Sequence, residues 1–479
     1  MAVERLSVLD SSFLDLESTS HQMHVGGLGI FQAGLRYADV VRMLRDRIDE
    51  VPHARTRVQS NSTLTGRPIW VDDPDFDLSY HVRHAALPSP GDRHQLGEFL
   101  SRLMSRKLDR DRPLWEIYVI DGLEGDRVGM FRKVHLAMAN GVDGDPFSVL
   151  LDESPRNMDA EIGRFNRAWH PDRPPPTSAV LADAMEERAQ RLQKVAMAAV
   201  ESIDPRVGIR RAGQVVGSGA GLVNRLVRGA PQSPLNKRLS PHRRFAMVRC
   251  ELEDLRVVRR AFGGSINDIV VAVVGDAVGR LLRWRGHETK DLDLKVMVPV
   301  RTDGGAGATP GMGETRTVGS GVVGVLAPLP VMTMDPVARL YRIMGEMAGL
   351  KESRQAVAAD QLVRLTGYAP PAMHAMAARL VSGEQRYNIA LSNAPGPQQP
   401  RYLAGTLLEE SYPFIPLAGA SALSLAVSSY AGRMYFGLLG DRDTLFDIER
   451  LGDFVTESVN DLRKAADAQL DQAPGNASR

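Results

Sequence analysis

Apolar positions recur at two periods along the 479 residues, and the switching between them marks out the elements. GGLGIF (26–31) reads as a strand, and YADVVRMLRDRIDEV (37–51) places its apolar residues at helical spacing. WEIYVI and RVGMFRKVH are strand-like runs separated by Asp121-Gly122 and a polar stretch, which predicts a hairpin that delivers His135 to a strand end. Further on, Ser265 precedes a strong helical stripe of Ile266, Ile269, Val270, Val273, Ala277, Val278 and Leu281, with Asp268 at the capping-box position. Strands are predicted at 294–300, 322–331 and 387–392. A hairpin over 422–440 turns at Ala431-Gly432, and a helix follows from about 446 to 467.

Pro174, Pro175 and Pro176 interrupt regular structure, so the first domain is expected to span 1–170. A helix over 178–203 follows, with Leu181, Met185, Leu192, Val195, Ala199 and Ile203 on its apolar face. Residues 205–245 then carry Gly, Pro and many arginines, with no acidic residue. That stretch reads as a solvated linker, or alternatively as a patch for phosphates or anionic lipid head groups. With 171–245 as linker, 246–479 forms the second domain. The order of elements predicts an α/β protein of two halves of similar size, each with a mixed sheet, joined by a long crossover.

Composition narrows the function. Lys+Arg 59 against Asp+Glu 58 leaves a net charge of +1, which argues against a nucleic-acid binder. No apolar run reaches the ~18 to 20 residues that span a bilayer, and the N-terminus lacks a signal-peptide pattern, so a cytoplasmic location is expected. Cys250, the one cysteine, excludes an internal disulfide, and no HExxH or CxxC spacing points to a metal. GGAGATPGMG (304–313) is glycine-rich but lacks the lysine of a phosphate-binding loop and reads as a plain loop.

The candidate chemistry lies where the strand ending at His135 runs into HLAMANGVDGDPF. Asn140-Gly141 is a turn signal, and Asp145-Pro146 opens a helix. KVHLAMANG resembles the HHxxxDG signature of the bacterial wax ester synthase and acyl-CoA:diacylglycerol acyltransferase family, relatives of the chloramphenicol-acetyltransferase-like, CoA-dependent acyltransferases. Other motifs agree in type and order. Leu9-Asp10 and Phe13 match the family's opening, Pro113-Leu114-Trp115 its PLW motif, Asn267-Asp268 its ND motif, and Ser392-Asn393 with Pro395-Gly396-Pro397 its SNxPGP loop. Each also has a purely structural reading: Pro113 opening an edge strand with Trp115 packing, Asn267 and Asp268 capping a helix, Pro395-Gly396-Pro397 forming a rigid turn.

The resemblance implies a fold of two such acyltransferase-like halves. It implies transfer of a long-chain acyl group from acyl-CoA to diacylglycerol or a long-chain alcohol, with CoA as part of a substrate and no further cofactor. It also implies contact with a membrane or lipid-droplet surface. Asn393 is implied as a candidate to line the substrate tunnel. The second His of the motif is the family's general base, and that position here is Leu136. The motif Asp, which orients the base, is Asn140. Leucine accepts no proton at any pH, and an Asn amide has lost the charge. Strand alternation predicts that His135 faces away from the side that residue 136 addresses. Three functions remain open on these residues: an acyltransferase, possessed of residual turnover or none; a non-catalytic acyl-CoA or lipid binder partnering an active paralogue; and a condensation-type transferase.

Overall fold

The computed structural model describes residues 3–60, 66–139, 145–155, 169–186, 189, 193, 230–301, 322–352 and 387–472. The first half opens with helix α1 (Val8–Leu16), strand β1 (His24–Phe31) and helix α2 (Tyr37–Arg47). A small hairpin, β2 (Thr56–Gln59) and β3 (Ile69–Asp72), leads to α3 (Leu78–His81), β4 (Val82–Ala86) and α4 (Arg93–Met104). β5 (Trp115–Leu123) and β6 (Arg127–His135) complete it. The second half holds β7 (Arg243–Glu251), α5 (Leu252–Phe262), α6 (Ile266–Trp284), β8 (Asp293–Arg301), β9 (Val322–Pro330), α7 (Pro336–Glu352) and β10 (Ile389–Ala394). Then come β11 (Tyr402–Leu403), β12 (Thr406–Phe414), β13 (Leu423–Tyr430), β14 (Arg433–Asp441) and α8 (Ile448–Gln472).

Two six-stranded mixed sheets result, ordered β11-β12-β1-β6-β5-β4 and β7-β14-β13-β10-β8-β9. Strands β11 and β12 come late in the chain, yet they finish the first sheet: β12 runs antiparallel to β1 with Gly26 opposite Phe414. In return, α4 of the first half covers the edge of the second sheet. Ser101 Oγ accepts from Phe245 N–H and Ser105 Oγ from Arg243 N–H, both at 2.9 Å, so two outward backbone donors of edge strand β7 are satisfied. Gly97 permits this approach, since a Cβ there would stand 2.8 Å from Phe245 O. Phe414 fills the seam, stacking on Phe131 at 5.4 Å and meeting Phe245 edge-on at 6.5 Å.

Most predicted elements recur, with three corrections. Asp121-Gly122 is not the β5–β6 turn: Gly122 (φ 77°) sits in a register shift within β5, and the chain reverses at Glu124-Gly125-Asp126, where Gly125 and Asp126 take positive φ. The helix after the prolines is described over 177–186, and its packed residues are Val180 and Ala184, while Leu181 and Met185 are exposed. Arg5 sets that face by bonding Val180 O and pairing with Asp183. Ala189 and Gln193 are helical too; the rest of that predicted helix lies outside the described residues, as do 205–229 and residues 304–313. From residue 230 onward the supposed linker is part of the fold, for Leu235, Leu239 and Arg243 are buried. Asp145 and Pro146 do open a helix, a short 3-10 one over Pro146–Leu150 with Asp145 as its cap.

No single helix among the described residues is long and apolar enough to cross a membrane. α6 is apolar because it is buried nearly all round in the second half, with Ser265 and Asp268 closing the predicted capping box at its start.

Candidate active site

His135 ends β6, a central strand of the first sheet, and is held there by backbone contacts on both sides. Its N–H donates to Leu114 O at 3.0 Å, and Leu136 N–H donates to Met23 O at 2.8 Å. Leu136 is already the first residue of a turn, closed by Met138 N–H to His135 O and Ala139 N–H to Leu136 O. Strand alternation therefore ends at His135 and, contrary to the expectation from sequence, does not set the direction of Leu136. The two side chains differ in burial: that of His135 is fully enclosed, and Leu136 is half-buried. Asn140 and Gly141 lie outside the described residues. Asp145 pairs with Arg132 Nε at 2.6 Å and caps Phe147 N–H.

His135 enters a compartment that the sequence did not announce. Across the β1–β6 pairing it faces His24, the rings 6.0 Å apart and edge to face. Glu17, the C-cap of α1, reaches both: its Oε1 is 3.3 Å from His24 Nε2 and 3.8 Å from His135 Nε2. Arg110 Nη2 binds the other carboxylate oxygen at 2.8 Å. Burial alone would raise the Glu17 carboxyl, yet the His24 contact and the charges around it bring it down to about 2. Burial pushes His24 down to about 3 and His135 down to about 4. At neutral pH the carboxylate is ionised and both imidazoles are neutral, so its counter-charge is Arg110. Below them Lys133, with no exposed surface, donates to Leu103 O and Arg106 O, and burial lowers its ammonium to about 8.

The tautomer of His135 follows from its contacts. Nδ1 accepts from Ala137 N–H at 3.0 Å, so in the neutral ring the proton is on Nε2, directed toward Glu17. The one lone pair that could take a proton is occupied by the backbone of its own turn.

The PLW motif buttresses this compartment. Trp115 is wholly buried, donates Nε1–H to Ala54 O at 2.8 Å, and packs between His81 and Phe147. Leu114 supplies the carbonyl that receives His135 N–H, and Pro113 is buried beside it. A cavity of about 10 Å³ lies at the seam next to His24, lined also by Gln22, Met104, Arg243, Phe414 and Leu439.

The remaining motif residues gather in the second half. Asn393 Nδ2 donates to Asn267 Oδ1 at 3.3 Å, joining the SNxPGP strand to the start of α6. Ser265 caps α6, its Oγ accepting Asp268 N–H at 3.2 Å, and Asp268 Oδ2 accepts Ser265 N–H at 2.8 Å. Ser392 pairs with Ala426 along β13. Pro395 and Pro397 are exposed, while Gly396 docks on β13 by donating N–H to Ser429 Oγ at 3.2 Å. A Cβ at Gly396 would stand 2.2 Å from Ser429 O, so only glycine fits there. Among the described residues no hydrogen bond or ion pair links this group to the His135 compartment.

Glu17, His24 and Arg110 were missed because their proximity is long-range: a helix cap, a strand start and a loop meet only after β1 pairs with β6. The one local clue is His24 at an inward position of β1.

Two mixed-sheet halves, a late strand of the second completing the first, and a motif histidine beside their seam define a chloramphenicol-acetyltransferase-like fold. The wax ester synthase/diacylglycerol acyltransferase catalytic domain matches residues 6–270, and the C-terminal domain of the same family matches 318–463. The chain belongs to this family. It is 31% identical over 474 residues to a Mycobacterium tuberculosis protein named "Probable diacyglycerol O-acyltransferase tgs2", covering 95% of this chain and 98% of that one. The wax ester synthase/diacylglycerol acyltransferase from Marinobacter aquaeolei VT8 superposes with a TM-score of 0.66 at 27% identity, over 97% of this chain and 100% of that one. A starter condensation domain of rhizomide synthetase, solved with C8-CoA, gives 0.52 at 12% identity over 99% and 97% of the two chains, and so shares the fold alone.

Proposed function

We propose that this chain is an O-acyltransferase of the triacylglycerol and wax ester type, moving a long-chain acyl group from acyl-CoA to diacylglycerol or a long-chain alcohol, at a rate limited by the lack of a base at residue 136. In this reading the acceptor hydroxyl oxygen attacks the thioester carbonyl, the C–S bond breaks, and the hydroxyl proton ends on the CoA thiol. The single observation that carries the slow rate is the His135 geometry. Leu136 offers no lone pair, and the Nδ1 lone pair of His135 is engaged by Ala137 N–H inside a closed compartment. General-base catalysis contributes about 10² to 10⁴ in rate, and positioning of the two substrates supplies what remains.

The same observation favours a second reading, a non-catalytic acyl-CoA or lipid binder that partners an active paralogue. One assay separates them: CoA release from palmitoyl-CoA with hexadecanol, or with diacylglycerol presented in vesicles, for the natural chain and for Leu136→His, Asn140→Asp together. The proposal expects slow turnover that rises about 10²-fold or more in the double variant, and sedimentation of the protein with the vesicles. Turnover in the double variant alone selects the binder. Equal, fast turnover in both places the base elsewhere and overturns the assignment of residue 136.

A further inference from the structure

At the opposite end of β6 from His135, where Arg127 opens the strand, three arginines converge on one buried carboxylate. Glu410 on β12 is 1% exposed; Arg93 Nη2 reaches it at 2.8 Å, Arg127 Nη1 at 3.1 Å, and Arg249 Nη1 closer still. The Tyr412 hydroxyl also donates to it. The three side chains come from α4, β6 and β7, so the cluster sits across the seam of the two halves. Burial opposes ionisation of Glu410, but Tyr412 and the arginines hold its carboxyl below the usual range. One negative charge thus faces three positive ones, and each guanidinium has five N–H donors.

The arginines reach solvent, at 41%, 26% and 44% side-chain exposure for Arg93, Arg127 and Arg249. Arg93 and Arg249 line a groove of about 360 Å³ between α4, β7 and α8. Two acids stand in its lining, Glu449 and Asp453, and Glu98 stands beside it on α4. Glu98 and Glu449 share Arg244, whose Nη1 lies 3.5 Å and 3.9 Å from them, and Asp453 is 3.3 Å from Arg450 Nη1. These three acids face two arginines, which leaves one negative charge against the two positive charges in excess around Glu410, so a net positive charge remains there. Arg93 is also the first residue of α4, whose own N-terminal donors are taken up by the Asp92–Gln95 capping box, so the site rests on the guanidiniums and not on the helix end.

We propose that Arg93 and Arg249, backed by Arg127, form a binding site for a phosphate group, distinct from the acyl-transfer centre. The β6 strand from Arg127 to His135 puts the two about 25 Å apart. Forked guanidiniums match phosphate oxygens, and a second anion would balance what Glu410 alone leaves uncompensated. A soluble phosphate ester and a phospholipid head group offer the same chemistry.

The test uses the full chain. Inorganic phosphate is titrated calorimetrically against a chloride control at equal ionic strength, and binding to phosphatidylcholine vesicles is compared with and without phosphatidic acid. Arg249→Ala, at an exposed position, is expected to weaken phosphate binding about tenfold or more. Loss of phosphatidic-acid binding in that variant identifies the lipid head group as the source; loss of phosphate binding alone identifies a soluble ester. As a second readout, Glu410→Gln removes the competing carboxylate, so phosphate should raise its melting temperature more than that of the natural chain. Phosphate acting no differently from chloride, together with vesicle binding unaffected by Arg249→Ala, would overturn the site.

Discussion

His135 has neither solvent around it nor a free lone pair. Its pKa of about 4, set by burial, against an ordinary 6.5 means that the folded chain resists protonating it while the unfolded chain does not. The sign follows from linkage. Between pH 6.5 and 4 the unfolded state binds more protons, so the stability present above 6.5 is lost as pH falls through that window. For His135 the loss is on the order of 3 kcal/mol. His24 adds to it in the same direction down to about 3, and Glu17 follows between 4.5 and about 2, where its carboxylate must be protonated. Urea unfolding at pH 7 and pH 4.5 should therefore show a large drop for the natural chain. His135→Gln removes one of the titrating groups and is expected to flatten that dependence. An unchanged slope would mean that His135 is protonated or solvated in the folded chain.

Local patterns made some elements legible and long-range pairing hid others. The β13–β14 turn was readable because Ala431 and Gly432 both take positive φ, and Gly is the signal for that geometry. Gly122 gave the same signal and misled, since it serves a bulge inside β5. The motif positions were legible as residues but not as a site. Asn267 and Asn393 do meet, whereas the partners of His135 come from α1 and β1, which no spacing rule connects to β6. β12 was not read at all, because half-buried Thr406, Leu407, Glu409, Ser411 and Pro413 alternate along it in a way that only its place between β11 and β1 explains. Gly396 gives the clearest element-scale test. Alanine there would force its β-carbon onto Ser429 O and lift the SNxPGP loop off β13. The expected cost is about 1 to 3 kcal/mol, read as a lowered thermal midpoint with the Asn267–Asn393 contact weakened. A Gly396→Ala chain as stable as the original would show that the loop can move away without cost.

The two halves are built as one body. β12 supplies half the hydrogen-bonding partners of β1, and α4 returns the favour to β7 through Ser101 and Ser105. Phe245, Tyr435 and Leu439 of the second sheet belong to the same apolar cluster as Leu28, Phe131 and Trp115 of the first. A chain ending at residue 245 would thus leave β1 as an open edge over Gly26–Phe31, with Phe131 uncovered where Phe414 had stacked. Exposed edges of this kind pair with other chains. Residues 1–245 expressed alone are expected to aggregate, and co-expression with 246–479 to recover a soluble complex, measured by size-exclusion chromatography. Full-length protein should unfold in a single transition, with near-ultraviolet and far-ultraviolet circular dichroism changing together. A soluble, monomeric 1–245 fragment with native-like circular dichroism would mean that β1 tolerates its open edge and that the crossover strand joins the halves without being needed to form them.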